Sequence, residues 1–159
     1  MRIVHVVPNL GVGGAETMIV DLAVAQGENG DSPIIVSLWP REGNHLDDQL
    51  KEVGVPVYYL NKRKGFDFEC IGELRNILKR CAPDVIHTHR DALPYVLLAR
   101  PMPRGRIVHT VHKSPAREAP LFVRPLIPRM AFTLGQACPA AQTVRLADEV
   151  LRFPWLPPY

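Results

Sequence analysis

Cysteine is scarce in this chain of 159 residues, which has only Cys70, Cys81 and Cys138 and no CxxC pair. An odd, scattered set of cysteines argues against a disulfide framework or a cysteine-based zinc site and is typical of a reducing compartment. Long hydrophobic runs are also absent. No stretch approaches the ~20 apolar residues of a membrane span, and the first apolar run is too short for a signal peptide. The sequence therefore predicts a cytoplasmic protein.

Charge of one sign is not in large excess. The formal net charge of +3 is too small to indicate a nucleic-acid partner, and we expect none. The composition is 47% hydrophobic and 22% charged, which is ordinary for a globular protein. A chain of this length can bury the core of one domain.

The dinucleotide-binding fingerprint is missing as well. Glu16 stands where its last glycine would be, and the second predicted strand runs into Trp39-Pro40 rather than an acidic residue. What the opening does contain is a short apolar strand (3–7), a glycine-rich loop (11–14) and a helix starting at Ala15. Glycines let the backbone approach a ligand, and the first amides of a helix attract anions. The alternative is that these glycines serve only tight helix–strand packing.

Strand-like and helix-like segments alternate along the rest of the chain. Strands are predicted at 33–38, 55–60, 83–89, 106–112 and, weakly, 137–142. Helices are predicted at 15–26, 68–81, 92–99 and 143–153, and another follows the polar loop 41–44 and ends before Gly54. This order predicts an α/β fold, a Rossmann-like doubly wound parallel sheet covered on both faces.

Apolar spacing also predicts which helix residues are buried. In the second helix these are Leu46, Leu50 and Val53, with Gly54 just beyond the end. The third helix is expected to begin after an N-cap at Asp67. Its predicted buried face is Phe68, Ile71, Leu74, Leu78 and Cys81.

Three separate segments should meet at one edge of this sheet. In an open parallel sheet the ligand crevice lies beyond the carboxyl ends of the strands, where the strand order reverses. The glycine loop follows the first strand, His87 and His89 end the fourth, and His112 ends the fifth. We therefore expect the functional site at that edge.

In this order and spacing, the motifs resemble the N-terminal domain of GT-B glycosyltransferases of the retaining family 4. The segment Gly11-Val12-Gly13-Gly14-Ala15-Glu16 is similar to the family's GxGGAE start. Residues 83–89, PDVIHTH, are similar to its PDVIHxH segment, and residues 108–112, VHTVH, to its TxH strand end. Residues 43–57 resemble the family's second helix and third strand.

The resemblance implies roles for individual residues. His112 would approach the reacting sugar as the catalytic residue, and Gly13 and Gly14 would lie against the donor diphosphate and the acceptor. His89 would line the acceptor cleft. Donor or acceptor binding is thereby assigned to Gly11, Gly13, Gly14, Glu16, His89 and Lys113. Two alternatives stay open: His112 as a histidine that merely closes a buried strand, and Glu16 as an acid that only favours the helix dipole.

No metal site is predicted. Alternation along the strand is expected to point His87 away from His89, and His5 lies mid-strand as a core residue. Histidines 87, 89, 109 and 112 are metal ligands by type, but alternation would divide them between faces without a nearby carboxylate or cysteine. The sequence has no DxD motif, and the resemblance implies a reaction that needs no bound metal or other cofactor.

The implied reaction is transfer of a sugar from a nucleotide-diphosphate sugar to an acceptor hydroxyl with retention, in cell-surface polysaccharide or glycolipid synthesis. Residues 1–152 would form the family 4-like N-terminal domain. Residues 153–159 would begin an interdomain linker, with the donor-binding domain absent. We expect the isolated chain to be inactive, or to depend on a separate donor-binding domain. The alternative is a non-catalytic module of the same fold that binds a saccharide or a protein.

A basic, proline-broken stretch at 113–129 is a candidate contact with a membrane surface or an anionic, lipid-linked acceptor. The alternative is a loop with ordinary surface arginines. Peripheral attachment at the inner face of the membrane is compatible with the cytoplasmic location expected above. An open interdomain face would also favour a homo-oligomer.

Overall fold

The computed structural model describes residues 1–99, 105–112, 131–132 and 137–152, with side chains up to residue 148. Over these residues the strands are β1 (Arg2–Val7), β2 (Ser32–Ser37), β3 (Val57–Tyr59), β4 (Val85–His89), β5 (Arg106–Val111) and β6 (Ala137–Ala141). The helices are α1 (Gly14–Glu28), α2 (His45–Glu52), α3 (Phe68–Cys81), α4 (Leu93–Ala99) and α5 (Val144–Arg152). One turn of 3₁₀ helix, Arg90–Ala92, joins β4 to α4.

The described strands form one parallel sheet in the order β3-β2-β1-β4-β5-β6. Strands β2 and β3 lie on one side of β1, and strands β4, β5 and β6 lie on the other side. The strand order therefore reverses between β1 and β4, which is where such sheets bind ligands. The predicted doubly wound α/β fold is confirmed.

Apolar side chains are buried on both faces of the sheet. On one face, Val4 and Val6 of β1 pack with Leu74 and Leu78 of α3 and with α4. On the other face, Val7 and Ile35 pack with residues of α1 and α2, including Ile19 and Leu50. Because neighbouring strand residues point to opposite faces, His5, between Val4 and Val6, lies on the α1 side.

Helix ends follow the predicted signals in several places. The Asp67 carboxylate accepts hydrogen bonds from the amides of Glu69 and Cys70, so the predicted N-cap of α3 is confirmed. Gly54 follows α2 with φ of 73°, as a glycine just past a helix end should. Helix α1 continues through Gly27 to Glu28, two residues beyond the predicted end, and the left-handed turn falls at Gly30.

Two residues predicted to be buried are exposed instead. Val53 is 48% exposed because α2 ends at Glu52 and Val53 is its C-cap. Phe68 is 79% exposed because it is the first residue of α3, and the buried face of the helix begins at Cys70. The other predicted α3 core residues, Ile71, Leu74 and Leu78, are buried, and Cys81 is half-buried.

Within the described parts of the chain, every helix is too short or too polar to cross a bilayer.

Candidate functional site

A cavity of about 340 Å³ opens at the carboxyl edge of the sheet, beside the reversal of strand order. The start of α1, the turn after β4, the end of β5 and the end of β6 all contribute to its wall. Its described lining residues are Gly14, Ala15, Arg90, His112 and Gln142. The predicted convergence of three segments at this edge is therefore seen, with β6 as a fourth contributor.

The glycine loop brings the N-terminus of α1 to the cavity. Gly13 is the N-cap of α1 and supplies no side chain to bond the first helical amides. A β-carbon at Gly13 would lie 2.6 Å from a carboxylate oxygen of Glu16, so a side chain there would have to displace that carboxylate. At Gly14 a β-carbon would meet nothing within 4 Å. The open amides and the helix dipole make this end of α1 suited to an anion.

The loop is also tied to the start of α2. The Asn44 side-chain amide donates to the Leu10 carbonyl (2.7 Å), while its oxygen accepts from the Leu46 amide as the N-cap of α2. A β-carbon at Gly11 would lie 3.1–3.2 Å from the Asn9 amide and the Glu42 carboxylate, which are bonded to each other. Gly11 therefore lies close to these two side chains, and it is not among the described residues that line the cavity.

An ion pair joins the glycine loop to the turn after β4. The Arg90 guanidinium donates to the Glu16 carboxylate at 2.7 Å, and the Glu16 side chain is only 9% exposed. Arg90 has φ of 49°, a left-handed conformation uncommon for a residue with a side chain. Glu16 thus does more than favour the helix dipole, because it holds a cation at the cavity wall.

A row of hydrogen bonds runs from α1 through the sheet to the cavity. The side-chain oxygen of Gln26 (Oε1) lies 2.8 Å from His5 Nε2, and His5 Nδ1 lies 3.4 Å from His89 Nε2. His89 Nδ1 lies 3.2 Å from His112 Nε2, and His112 Nδ1 lies 3.1 Å from the Gln142 amide nitrogen. Since His5 and His89 are fully buried, His112 is the member of this histidine row (His5, His89 and His112) that reaches the cavity.

The prediction that His87 points away from His89 is wrong. Their ring centroids are 4.2 Å apart, and His87 also contacts the ring of His5 at 5.1 Å. The physical reason is the two-residue period of a strand: residues i and i+2 share a face. His87 Nε2 lies 2.6 Å from the Thr110 hydroxyl, which accounts for one of its ring nitrogens.

His109 lies on the opposite face of the sheet. Its Nδ1 is 2.8 Å from the Thr88 hydroxyl, and its ring contacts Phe132 at 6.0 Å. Alternation therefore separates His109 from the other histidines, as expected, but leaves His87, His89 and His112 together with His5.

Burial holds these histidines neutral. It lowers the pKa of His87 to about 3, aided by the neighbouring histidines, and the pKa of His109 to about 4. The pKa values of His5 and His89 are lowered by the same cause. For His112 burial is again the main cause, followed by the charge of Arg90, while Glu16 opposes the shift. At neutral pH the row is a set of uncharged imidazoles.

Ring nitrogens of His5, His87 and His89 lie within 4.8 Å of one another, which by residue type could hold a metal ion. Each of these imidazoles already has a protein hydrogen-bond partner, and the nearby described residues add histidine rather than a charged ligand.

The adjacent acidic residues Asp47 and Asp48 on α2 both have partners outside the cavity. Asp47 accepts from the Gly43 and Asn44 amides and from Tyr59, and Asp48 pairs with Arg41.

Apart from Gly11, described above, the predicted site residues fall into three groups. Gly14 and His112 line the cavity, with Gly13 and Glu16 directly behind it. His89 was expected to line the acceptor cleft, but it is fully buried and contacts His112 instead. Lys113 and the basic stretch 113–129 lie outside the described residues.

Sequence reasoning missed Arg90, Gln142, Gln26 and the partnership of His5. Arg90 had a usable signal, since it directly follows the strand whose two histidines were singled out. Gln26 and Gln142 had none, because their partners lie on other elements far along the chain.

Comparison with known proteins gives the family. The model for Glycosyltransferase Family 4 matches residues 12–150, and the chain belongs to this family. A search of curated proteins finds no match.

Two solved glycosyltransferases share the fold. One, from Rickettsia africae ESF-5, is 20% identical with a TM-score of 0.72, covering 98% of this chain and 40% of that one. MurG from Acinetobacter baumannii is 13% identical with a TM-score of 0.59, covering 87% of this chain and 41% of that one. The chain thus spans about two fifths of the length of these GT-B enzymes.

Proposed function

We propose that this chain is the acceptor-side half of a retaining glycosyltransferase, which transfers a sugar from a nucleotide-diphosphate sugar to an acceptor hydroxyl. The family supports glycosyl transfer in general. The observation that carries the proposal is the cavity in which the α1 N-terminus, Arg90 and His112 meet. The setting that we propose is cytoplasmic synthesis of a cell-surface polysaccharide or glycolipid.

The charges at the cavity suit this reaction. Negative charge grows on the leaving diphosphate while positive charge grows on the sugar. The open amides of α1 and the guanidinium of Arg90 can face the diphosphate, with Glu16 fixing the position of Arg90. A neutral His112 can bond a sugar hydroxyl without adding charge beside the developing cation.

A cavity of about 340 Å³ is at the lower end of the range for small-molecule sites, about 300–1,000 Å³. It fits one part of a nucleotide sugar better than the whole molecule. We therefore propose that a second, donor-binding domain completes the site, and that neither domain requires a metal ion or other cofactor. Arg90 and the helix amides would stabilise the negative charge on the leaving diphosphate, as a metal ion does in metal-dependent enzymes.

The first experiment is to sequence the DNA downstream of the codon for Tyr159 and to coexpress any encoded second α/β domain. The assembled protein is then assayed with labelled nucleotide sugars and membrane extract. We expect transfer by the assembly and none by the 159-residue chain. Transfer by the chain alone would refute the need for a second domain. Inverted anomeric configuration in the product, read by NMR, would refute retention.

Substitution of His112 tests the site itself. His112→Asn in the assembly should lower kcat by about 10²-fold or more, as loss of a residue acting at the reacting centre does. His45→Gln, an exposed histidine on α2, is the matched control and should leave kcat unchanged. Saccharide binding by the chain without transfer in any assembly would instead favour the non-catalytic module.

Membrane contact through 113–129 remains a prediction. Flotation with liposomes that contain or lack anionic lipid tests it, and recovery of the protein with neither kind would end the idea.

A further inference from the structure

The histidine row has a single consistent direction of hydrogen bonding. A neutral imidazole has one N–H donor and one acceptor nitrogen, so fixing one nitrogen fixes the other. At the inner end, the side-chain oxygen of Gln26 (Oε1) can only accept, which makes His5 Nε2 a donor and His5 Nδ1 an acceptor. His89 Nε2 must then donate to His5, and His89 Nδ1 must accept from His112 Nε2.

The outer end agrees with the inner one independently. Once His112 Nε2 donates inward, its Nδ1 must be an acceptor, and the group beside it is the donor amide of Gln142 at 3.1 Å. All the imidazoles of the row thus carry their proton on Nε2. If the Gln26 end and the Gln142 end required opposite tautomers, two donors or two acceptors would face each other in a buried site.

We propose that Gln26 and His5 are positioning residues, which act through His89 to keep His112 as a hydrogen-bond acceptor at Nδ1, the nitrogen that faces the cavity wall beside Gln142. A ligand hydroxyl that displaces the Gln142 amide donates a hydrogen bond to this nitrogen and keeps its proton. The proposal rests on the proposed function only for the identity of that hydroxyl as one of a sugar. It selects ligands with a hydroxyl or amide donor at this point and disfavours those with an ether or carbonyl oxygen.

The same row also opposes protonation of His112. A proton on Nδ1 would create a cation close to the guanidinium of Arg90, with the buried neutral His89 behind it. The groups that face His112 are His89, Arg90, Gln142 and, at longer range, Glu16. The site therefore accepts a hydrogen bond and leaves the proton on the ligand.

The test is NMR of the whole chain with histidine labelled in the ring, because ring ¹⁵N and ¹³Cδ2 chemical shifts distinguish the two neutral tautomers. In the unmodified protein at neutral pH, we expect His5, His89 and His112 each in the Nε2–H form. Finding His112 in the Nδ1–H form, or as an even mixture, would overturn the proposal without any variant.

A matched pair of substitutions at Gln26 gives the sharper result. Gln26→Glu keeps an acceptor at this position and should leave His112 in the Nε2–H form. Gln26→Lys supplies a donor in its place, so each bond of the row must reverse, and the His112 signals should move to the Nδ1–H position. Gln26 is only partly buried, which gives the lysine access to solvent.

A folded Gln26→Lys protein with unchanged His112 shifts would refute coupling through His5 and His89. Gln49→Lys, on a partly buried position of α2, controls for a general effect of added charge and should move none of the three histidines. No sugar, nucleotide or second domain enters this measurement. Its failure is therefore separate from failure of the glycosyltransferase proposal.

Discussion

Arg90 combines a left-handed backbone (φ 49°) with a guanidinium bonded to a carboxylate that is almost wholly buried. A buried carboxylate that loses its partner destabilises the fold, because its desolvation is no longer offset. The Arg90 side chain is itself 41% exposed, so solvent screens part of the attraction. The pair is accordingly stronger than a surface ion pair and weaker than a fully buried one.

Arg90→Gln should lower the free energy of unfolding by about 1–2 kcal/mol in urea denaturation. Gln retains the backbone penalty of a non-glycine residue at this φ, so the change isolates the lost ion pair. Arg63 and Glu69 form a pair in which both side chains are more than two thirds exposed, and Arg63→Gln is the control. Its effect should stay within about 0.5 kcal/mol, and equal losses in the two variants would contradict the role given to Glu16.

At the level of single residues, the sequence predicted the cavity-lining His112 and Gly14 because both lie at the carboxyl edge of a parallel sheet. The predicted orientation of His87 was wrong, because residues two apart in a strand, such as His87 and His89, point to the same face. The sequence also could not find Gln26 as the partner of His5, since a partly polar helix face carries no mark of which strand residue it will meet.

The start of α1 depends on two adjacent glycines with different surroundings. A methyl group at Gly13 would collide with the Glu16 carboxylate, which the ion pair with Arg90 prevents from moving freely. A methyl group at Gly14, the first helical residue, would point into open space. Comparing alanine substitutions at the two positions therefore distinguishes a steric need for glycine at Gly13 from a need for glycine's flexible backbone.

Gly13→Ala should destabilise the protein by about 1–3 kcal/mol, the usual cost of overpacking. Gly14→Ala should change stability by less than about 0.5 kcal/mol or raise it slightly, because alanine favours the helix. Urea unfolding curves of both variants make the comparison. Equal stabilities would show that the Glu16 side chain can move aside at little cost.

The order and type of the elements were predictable because strand and helix periods differ and each element buries an apolar face. Their ends were less so. Val53 and Phe68 continue the apolar pattern of α2 and α3, yet they lie at the ends of these helices and are exposed. The burial of Phe68 depends on the angle at which α3 packs against the sheet. The spacing of apolar residues in the sequence does not predict that angle.

For the molecule as a whole, the buried histidines make stability depend on pH. Their folded pKa values lie below the ordinary 6.5, so the unfolded chain binds protons first as the pH falls. Their contribution is complete above pH 6.5. It is lost progressively down to about 4 for His109 and about 3 for His87.

His87 and His109 alone should cost about 2–3 kcal/mol of folding stability between about pH 7.5 and pH 5.5, measured by urea denaturation. His109→Asn should reduce that loss by about 1 kcal/mol, since one proton-binding difference disappears. The exposed His45 is the control, and His45→Gln should retain the whole loss. A stability that stays flat over this range would mean that the imidazoles are not held neutral by burial.

The two edge strands of the described sheet each disfavour pairing with a strand of another molecule, for different reasons. β3 has three residues, too few to template a long added strand, and β6 carries Pro139, which lacks the N–H that a neighbouring strand would need. Growth of the sheet by edge-to-edge pairing is thereby disfavoured at both sides. Fibrous aggregation through the edges of the described sheet should therefore be slow even at high concentration.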